Sequence, residues 1–200
     1  MRIKSFKGGY DDNFSYIIHD SGEAIIIDTA IKPEILINYL KKNNLQLKCA
    51  IIMHSHFDHL VGYDYYLENG IKLAGSENLL REVDIRLKNG DELELGKYKL
   101  QVMATPGHLY DCLCILVDGK LFTSDTLFID GCGRCDLSGA NVDKMYESLE
   151  KIKSLPDETI IYPGHDYGPV PFASLAEQKK TNHYLQAESK KEFIKDRMGF

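Results

Sequence analysis

His54-Ser55-His56-Phe57-Asp58-His59 packs three imidazoles and a carboxylate into six residues. So dense a group of N and O donors points to a metal site, since these are the atoms that divalent ions take from proteins. A helix cap would account for Asp58 alone and leaves three histidines without a role. Three more side chains of the same kind stand further along, each directly after an apolar run. His108 follows Thr105-Pro106-Gly107, Asp125 follows Phe122-Thr123-Ser124, and His165 follows Tyr162-Pro163-Gly164. One such strand ending is ordinary, but four form a constellation. His54, His56 and His108 would make a three-nitrogen site, and Asp58, His59 and His165 a second. The two oxygens of Asp125 would bridge them, at a metal separation of about 3.5–4 Å. With no thiolate in the set, the donors suit zinc, iron or manganese.

Ligands so scattered must be carried by strands that stop at a common edge. Cys49-Ala50-Ile51-Ile52-Met53 reads as a buried strand, and His54 begins where it runs out. In α/β sheets, ligands sit beyond the carboxyl ends of the strands. Further strands are expected at 2–6, 14–19, 24–28, 71–74 and 159–162, with hairpins at 92–104 and 112–123. The latter turns on Asp118-Gly119, a strong hairpin signal. Helices are expected at 33–42, opened by Pro33, at 59–68, at 77–80, at 141–154 and through most of the chain from 172. This order predicts an α/β chain with a mixed sheet, and the lack of repeats or low-complexity linkers predicts one domain over 1–200.

Composition narrows the function. A chain of 200 residues that is 44% hydrophobic can bury a sizeable core. Its net charge of −6, with basic residues scattered among acids, argues against a nucleic-acid partner. The charged amino terminus has no apolar leader and no run would span a bilayer, so a cytoplasmic protein without a membrane partner is expected. Five cysteines suit a reducing compartment. Cys132 and Cys135 have the spacing of a redox pair or half a zinc site, but no second pair exists to complete the latter. His19, at a strand end before a turn, reads as a surface residue.

The His-x-His-x-Asp-His pattern at 54–59, with His108, Asp125 and His165 behind it, resembles the metallo-β-lactamase superfamily. That resemblance implies an αββα sandwich: two mixed β-sheets face to face, helices on the outer faces and metals at one rim. Ser124-Asp-Thr-Leu-Phe128, Gly131-Cys-Gly-Arg134 and Gly164-His-Asp-Tyr167 are similar to glyoxalase II and the related persulfide dioxygenases. The likeness to glyoxalase II implies hydrolysis of a glutathione or other thiol thioester with two divalent metal ions, zinc foremost and iron or manganese as substitutes. Asp58 would then bind metal and also orient the attacking water. The same likeness places Arg134 and Tyr167 where the glutathione carboxylate is held. Likeness to the dioxygenases implies instead a single iron on His54, His108 and Asp125 and oxidation of glutathione persulfide. A metal-binding module without catalysis is a third reading. Two departures stand out. Only positions 166–200 follow His165, where glyoxalase II proper carries a helical domain that helps bind glutathione, and Cys135 replaces a threonine of the dioxygenases.

Overall fold

A strand covered on both faces must be apolar throughout, and 24–27 and 49–53 are. The computed structural model, which describes residues 1–199, shows what covers them. Strands β1 (Arg2–Gly8), β2 (Asn13–Asp20), β3 (Glu23–Ile27), β4 (Gln46–Ile52), β5 (Leu73–Ser76) and β6 (Ile85–Leu87) form one sheet in that order. Its first three strands pair antiparallel and the rest parallel. Next come β7 (Glu92–Leu95), β8 (Tyr98–Ala104), β9 (Leu113–Val117) and β10 (Lys120–Ser124), a small ladder of β11 (Leu127–Phe128) with β12 (Gly131–Cys132), then β13 (Ile160–Pro163) and β14 (Ala173–Ser174). The second large sheet runs β14-β13-β10-β9-β8-β7, and only β10 with β13 is parallel.

The two-residue period of each strand divides its apolar side chains between two cores. Tyr16, Ile18, Ile25, Ile27, Ile51 and Met53 meet Leu100, Val102, Leu113, Ile115 and Phe122 between the sheets. Their neighbours Ile17, Ile26, Ala50 and Ile52 point outward onto Leu36 and Leu40 of α1 (Pro33–Lys42) and Tyr63 and Tyr66 of α2 (Tyr63–Glu68). On the far side, Met103, Cys114 and Leu121 pack on Met145, Leu149 and Ile152 of α3 (Val142–Lys153). That layer is completed by α4 (Leu175–Thr181), α5 (His183–Gln186) and α6 (Lys190–Met198), the last buried through Phe193. Each such isoleucine or leucine contributes about 1.5–3 kcal/mol by burial. The αββα layering implied by the resemblance is therefore present.

Three local expectations need correction. Residues 59–68 are not one helix: a 3-10 turn spans Phe57–His59, and the Gly62 N–H then pairs with the Thr29 carbonyl before α2 begins. Residues 77–80 are a turn, because Glu77 donates its N–H to Leu87 beside the short, unforeseen strand β6. The chain after 172 pairs briefly as β14 before turning helical. Its helices are separated by caps: Ser174 and Glu177 form a capping box, Asn182 accepts from Tyr184 N–H and Ser189 from Glu192 N–H. All five cysteines are buried free thiols. Among the described residues no helix is long and apolar enough to cross a membrane.

Candidate metal centre

The segments that follow β3, β4, β8, β10 and β13 meet at one rim of the sandwich. Two of these strands end in a left-handed residue that is not glycine, Asp28 (φ 68°) after β3 and Ser124 (φ 44°) at the end of β10. Such backbone costs about 1–3 kcal/mol per residue and persists only where its surroundings demand it. Here it turns both side chains toward the cluster of expected ligands.

All seven expected ligands converge there. His54, His56 and His108 bring one donor atom each within 4.8 Å of one another, as do Asp58, His59 and His165, and as do His54, His59 and Asp125. His56 Nδ1 lies 2.8 Å from His108 Nε2 and 3.2 Å from His54 Nε2, while the Nε2 atoms of His59 and His165 are 3.1 Å apart. Asp125 divides its oxygens between the two groups. Oδ2 is 3.5 Å from His108 Nε2 and 3.9 Å from His54 Nε2. Oδ1 is 3.4 Å from His59 Nε2 and 3.3 Å from His165 Nε2.

The outward ring nitrogens settle which inward atoms carry lone pairs. Ser124 donates its hydroxyl proton to Asp28 Oδ2 (2.8 Å), so its oxygen is left to accept from His54 Nδ1 (3.2 Å). His59 Nδ1 donates to the same Asp28 oxygen (2.8 Å), His108 Nδ1 to the Arg134 carbonyl (2.8 Å) and His165 Nδ1 to the Asp11 carbonyl (2.6 Å). In its neutral form each of these imidazoles therefore presents a bare Nε2 inward, the arrangement in which outer partners orient metal-binding histidines. Two bare nitrogens 3 Å apart repel unless a cation lies between them.

Electrostatics agrees. Burial opposes ionisation of Asp58 and Asp125, yet His59 with the Asn13 amide outweighs it at Asp58, and His59, His165 and His54 outweigh it at Asp125, holding both carboxyls well below the usual carboxylate range. Burial, with repulsion between neighbouring rings, pushes His54 well down and His56 and His108 down. At His59 burial is overridden by Asp28 and Asp125, which raise its pKa, and Asp125 does the same to His165. A cation is thus drawn to the place where those carboxylates converge, and a metal ion would displace the proton. The wholly buried Asp125 Oδ1 also has no hydrogen-bond donor. The residues present fit a divalent metal pair.

Arg134 and Tyr167 lie beside this cluster, lining a cavity that also touches His108 and Asp125. Tyr167 stacks on His165 with ring centroids 4.6 Å apart and donates its hydroxyl to Asp11. Arg134 contributes its carbonyl to His108, while its guanidinium forks onto Asp136. His19 is elsewhere, beside Tyr39. The sequence pattern does not single out Asp28, Ser124 or Asn13 as site residues. Asn13 is fully buried, donates Nδ2 to Asp58 Oδ2 (2.9 Å) and so fixes that carboxylate. Asp28 closes a strand just as His54 and Asp125 follow theirs, and that was the signal available. Because one oxygen of Asp28 orients both His54, through Ser124, and His59, Asp28→Asn should weaken metal affinity about 10–100-fold. Titration of the stripped variant with zinc and a competing chelator checks this.

With two such half-sites on an αββα sandwich, the chain belongs to the metallo-beta-lactamase superfamily, whose family description matches residues 8–74 and 62–165. Among its relatives is a hydroxyacylglutathione hydrolase of Francisella tularensis subsp. novicida, 38% identical over 181 residues that cover 86% of this chain and 71% of that protein. In solved structures it is similar to ETHE1 from Myxococcus xanthus (TM-score 0.91, 29% identity, covering 100% of this chain and 92% of that one). It is also similar to a metallo-beta-lactamase from Staphylococcus aureus subsp. aureus COL (TM-score 0.86, 28% identity, 99% and 66%).

Proposed function

We propose that this protein is a metal-dependent hydrolase of the glyoxalase II kind, cleaving thioesters of glutathione or of another small thiol. The observation that carries the reading is the split of Asp125 between two sets of bare imidazole nitrogens, supported by the 38% identity to a hydroxyacylglutathione hydrolase. His54, His56 and His108 would hold one ion, Asp58, His59 and His165 the other, with Asp125 shared. Zinc is the ion we propose, while iron or manganese would accept the same donors. When bound, such a pair supplies the Lewis acidity that makes water nucleophilic near neutral pH and that offsets charge on the attacked carbonyl oxygen.

The chain's own groups do the rest. Asp58, braced by Asn13 and kept ionised, orients the attacking water from the side of His59 and His165. Ser124 and Asp28 keep the imidazoles in the tautomer that leaves Nε2 free. In the net reaction a C–O bond forms, the C–S bond breaks and the proton of water ends on the departing sulfur. Elemental analysis should find about two divalent ions per chain, and S-lactoylglutathione cleavage should disappear on chelation and return with metal. Undiminished turnover by stripped protein would refute the assignment.

A second reading has one contact in its favour: Asp125 Oδ2 with the Nε2 atoms of His54 and His108 forms a two-histidine, one-carboxylate face suited to a single iron. One iron per chain, with oxygen uptake on glutathione persulfide, would select it.

A further inference from the structure

Of the imidazoles in the centre, His56 is held differently from the rest. It points Nδ1 inward, 2.8 Å from His108 Nε2 and 3.2 Å from His54 Nε2. The other four point Nε2 inward and fasten Nδ1 to Ser124, to Asp28, or to the carbonyls of Arg134 and Asp11. With the lone pair of His56 on Nδ1, its proton stands on Nε2, and among the described residues that N–H has no hydrogen-bond partner. An acceptor stands unused nearby. Asp111, in the segment between β8 and β9, is 1% exposed. Its Oδ1 accepts the N–H of Ser55 (3.4 Å), the residue between His54 and His56, while its Oδ2 is buried without any partner. The two side chains are close enough for His56 to act on the charge of Asp111. The other carboxylates of the centre are committed: Asp28 to Ser124 and His59, Asp58 to Asn13, and Asp125 to the facing imidazoles. Leaving a buried acceptor unmade is costly, and here the missing donor belongs to the one ring that lacks an outer brace.

We infer that Asp111 is the positioning residue for His56, its Oδ2 taking the Nε2–H of that ring when Nδ1 holds a metal ion. The inference deepens the hydrolase reading and rests on it for the presence of the ion. The Ser55 N–H ties the aspartate to the stretch of backbone that carries His56, so the pair closes by side-chain rotation. A carboxylate on the outer nitrogen fixes the plane of the ring and makes its inner nitrogen a stronger donor. It also sets a second negative charge beside a half-site whose own members, His54, His56 and His108, are all neutral ligands.

The test is zinc titration of stripped protein against competing chelators. Asp111→Asn keeps an amide oxygen for the Ser55 N–H and puts an N–H₂ where the free oxygen was, so it breaks the inferred bond and spares the brace on the loop. It should weaken zinc binding about 10–100-fold. In protein already carrying His56→Gln, the same substitution should change nothing further. Equal weakening in both backgrounds means that Asp111 only shapes the loop and overturns the assignment, as does unchanged affinity in Asp111→Asn alone. The parent protein supplies a second readout that needs no folded variant at position 111. Loaded with zinc, it should show a slowly exchanging, downfield imidazole N–H resonance that is absent from His56→Gln, and exchange as fast as that of an open ring would overturn the assignment. Affinities that follow this pattern in a protein without thioester turnover would refute the hydrolase reading and leave Asp111 standing. Turnover with undiminished zinc binding in Asp111→Asn means the reverse.

Discussion

Asp125→Asn should lose metal and at least about a thousandfold in kcat/KM towards a thioester. The substitution keeps the shape of the side chain, so the effect isolates its charge and its second oxygen. In the native cluster, Oδ1 faces His59 and His165 while Oδ2 faces His54 and His108. An amide offers one weak oxygen and, at the other position, an N–H₂ that donates where a lone pair is needed. Metal-derived stabilisation of a transition state amounts to several kcal/mol, and each 1.4 kcal/mol is a factor of ten. Elemental analysis and initial rates on one sample check both halves, and a rate within tenfold of the parent would sink the bridging role.

Gly133→Ala should be among the most damaging glycine-to-alanine changes in the described chain. A Cβ there would land on the Asp125 carbonyl oxygen and lie 2.8 Å from the His108 Cβ, so it meets backbone on one side and an imidazole of the cluster on the other. Neither can yield without moving the centre, and the Gly133 carbonyl also receives Arg197. Overpacking of this kind costs about 1–3 kcal/mol and sometimes more. At this chain length that corresponds to a fall in Tm of roughly 2–12 °C. A melt of the variant unchanged within 1 °C, with metal content intact, would contradict the packing described.

How much of this was legible in the residues varies with how local the cause is. Apolar runs such as 24–27 and 49–53 announced strands covered on both faces, because burial on two sides leaves no polar period. The expected ligands were legible because each group follows directly on an apolar run, with Pro106-Gly107 before His108 and Pro163-Gly164 before His165 marking two of the stops. Asp28 obeys the same rule but stands alone, with no histidine beside it to draw notice. Asn13 and Asp111 gave no local sign. Asn13 acquires its place by bridging to His165 across the molecule, and Asp111 by reaching the Ser55 N–H. Strand β6 escaped because its alternation, Ile85-Arg86-Leu87, is only three residues long, too short to register as a strand. The 59–68 stretch misled because Gly62 finds the Thr29 carbonyl in another loop, a partner invisible to helical periodicity.

The donors of the centre come from both sheets, 54–59 following β4 of the first and His108, Asp125 and His165 following strands of the second. A bound ion therefore rivets the two halves together at that rim, and opening the sandwich must first release it. Resistance to unfolding then rises with free metal, by about 2.7 kcal/mol once the ion stands at a hundred times its dissociation constant. Scarcity of the ion would shorten the working life of the protein as well as silence it, tying its abundance to the supply of its own cofactor.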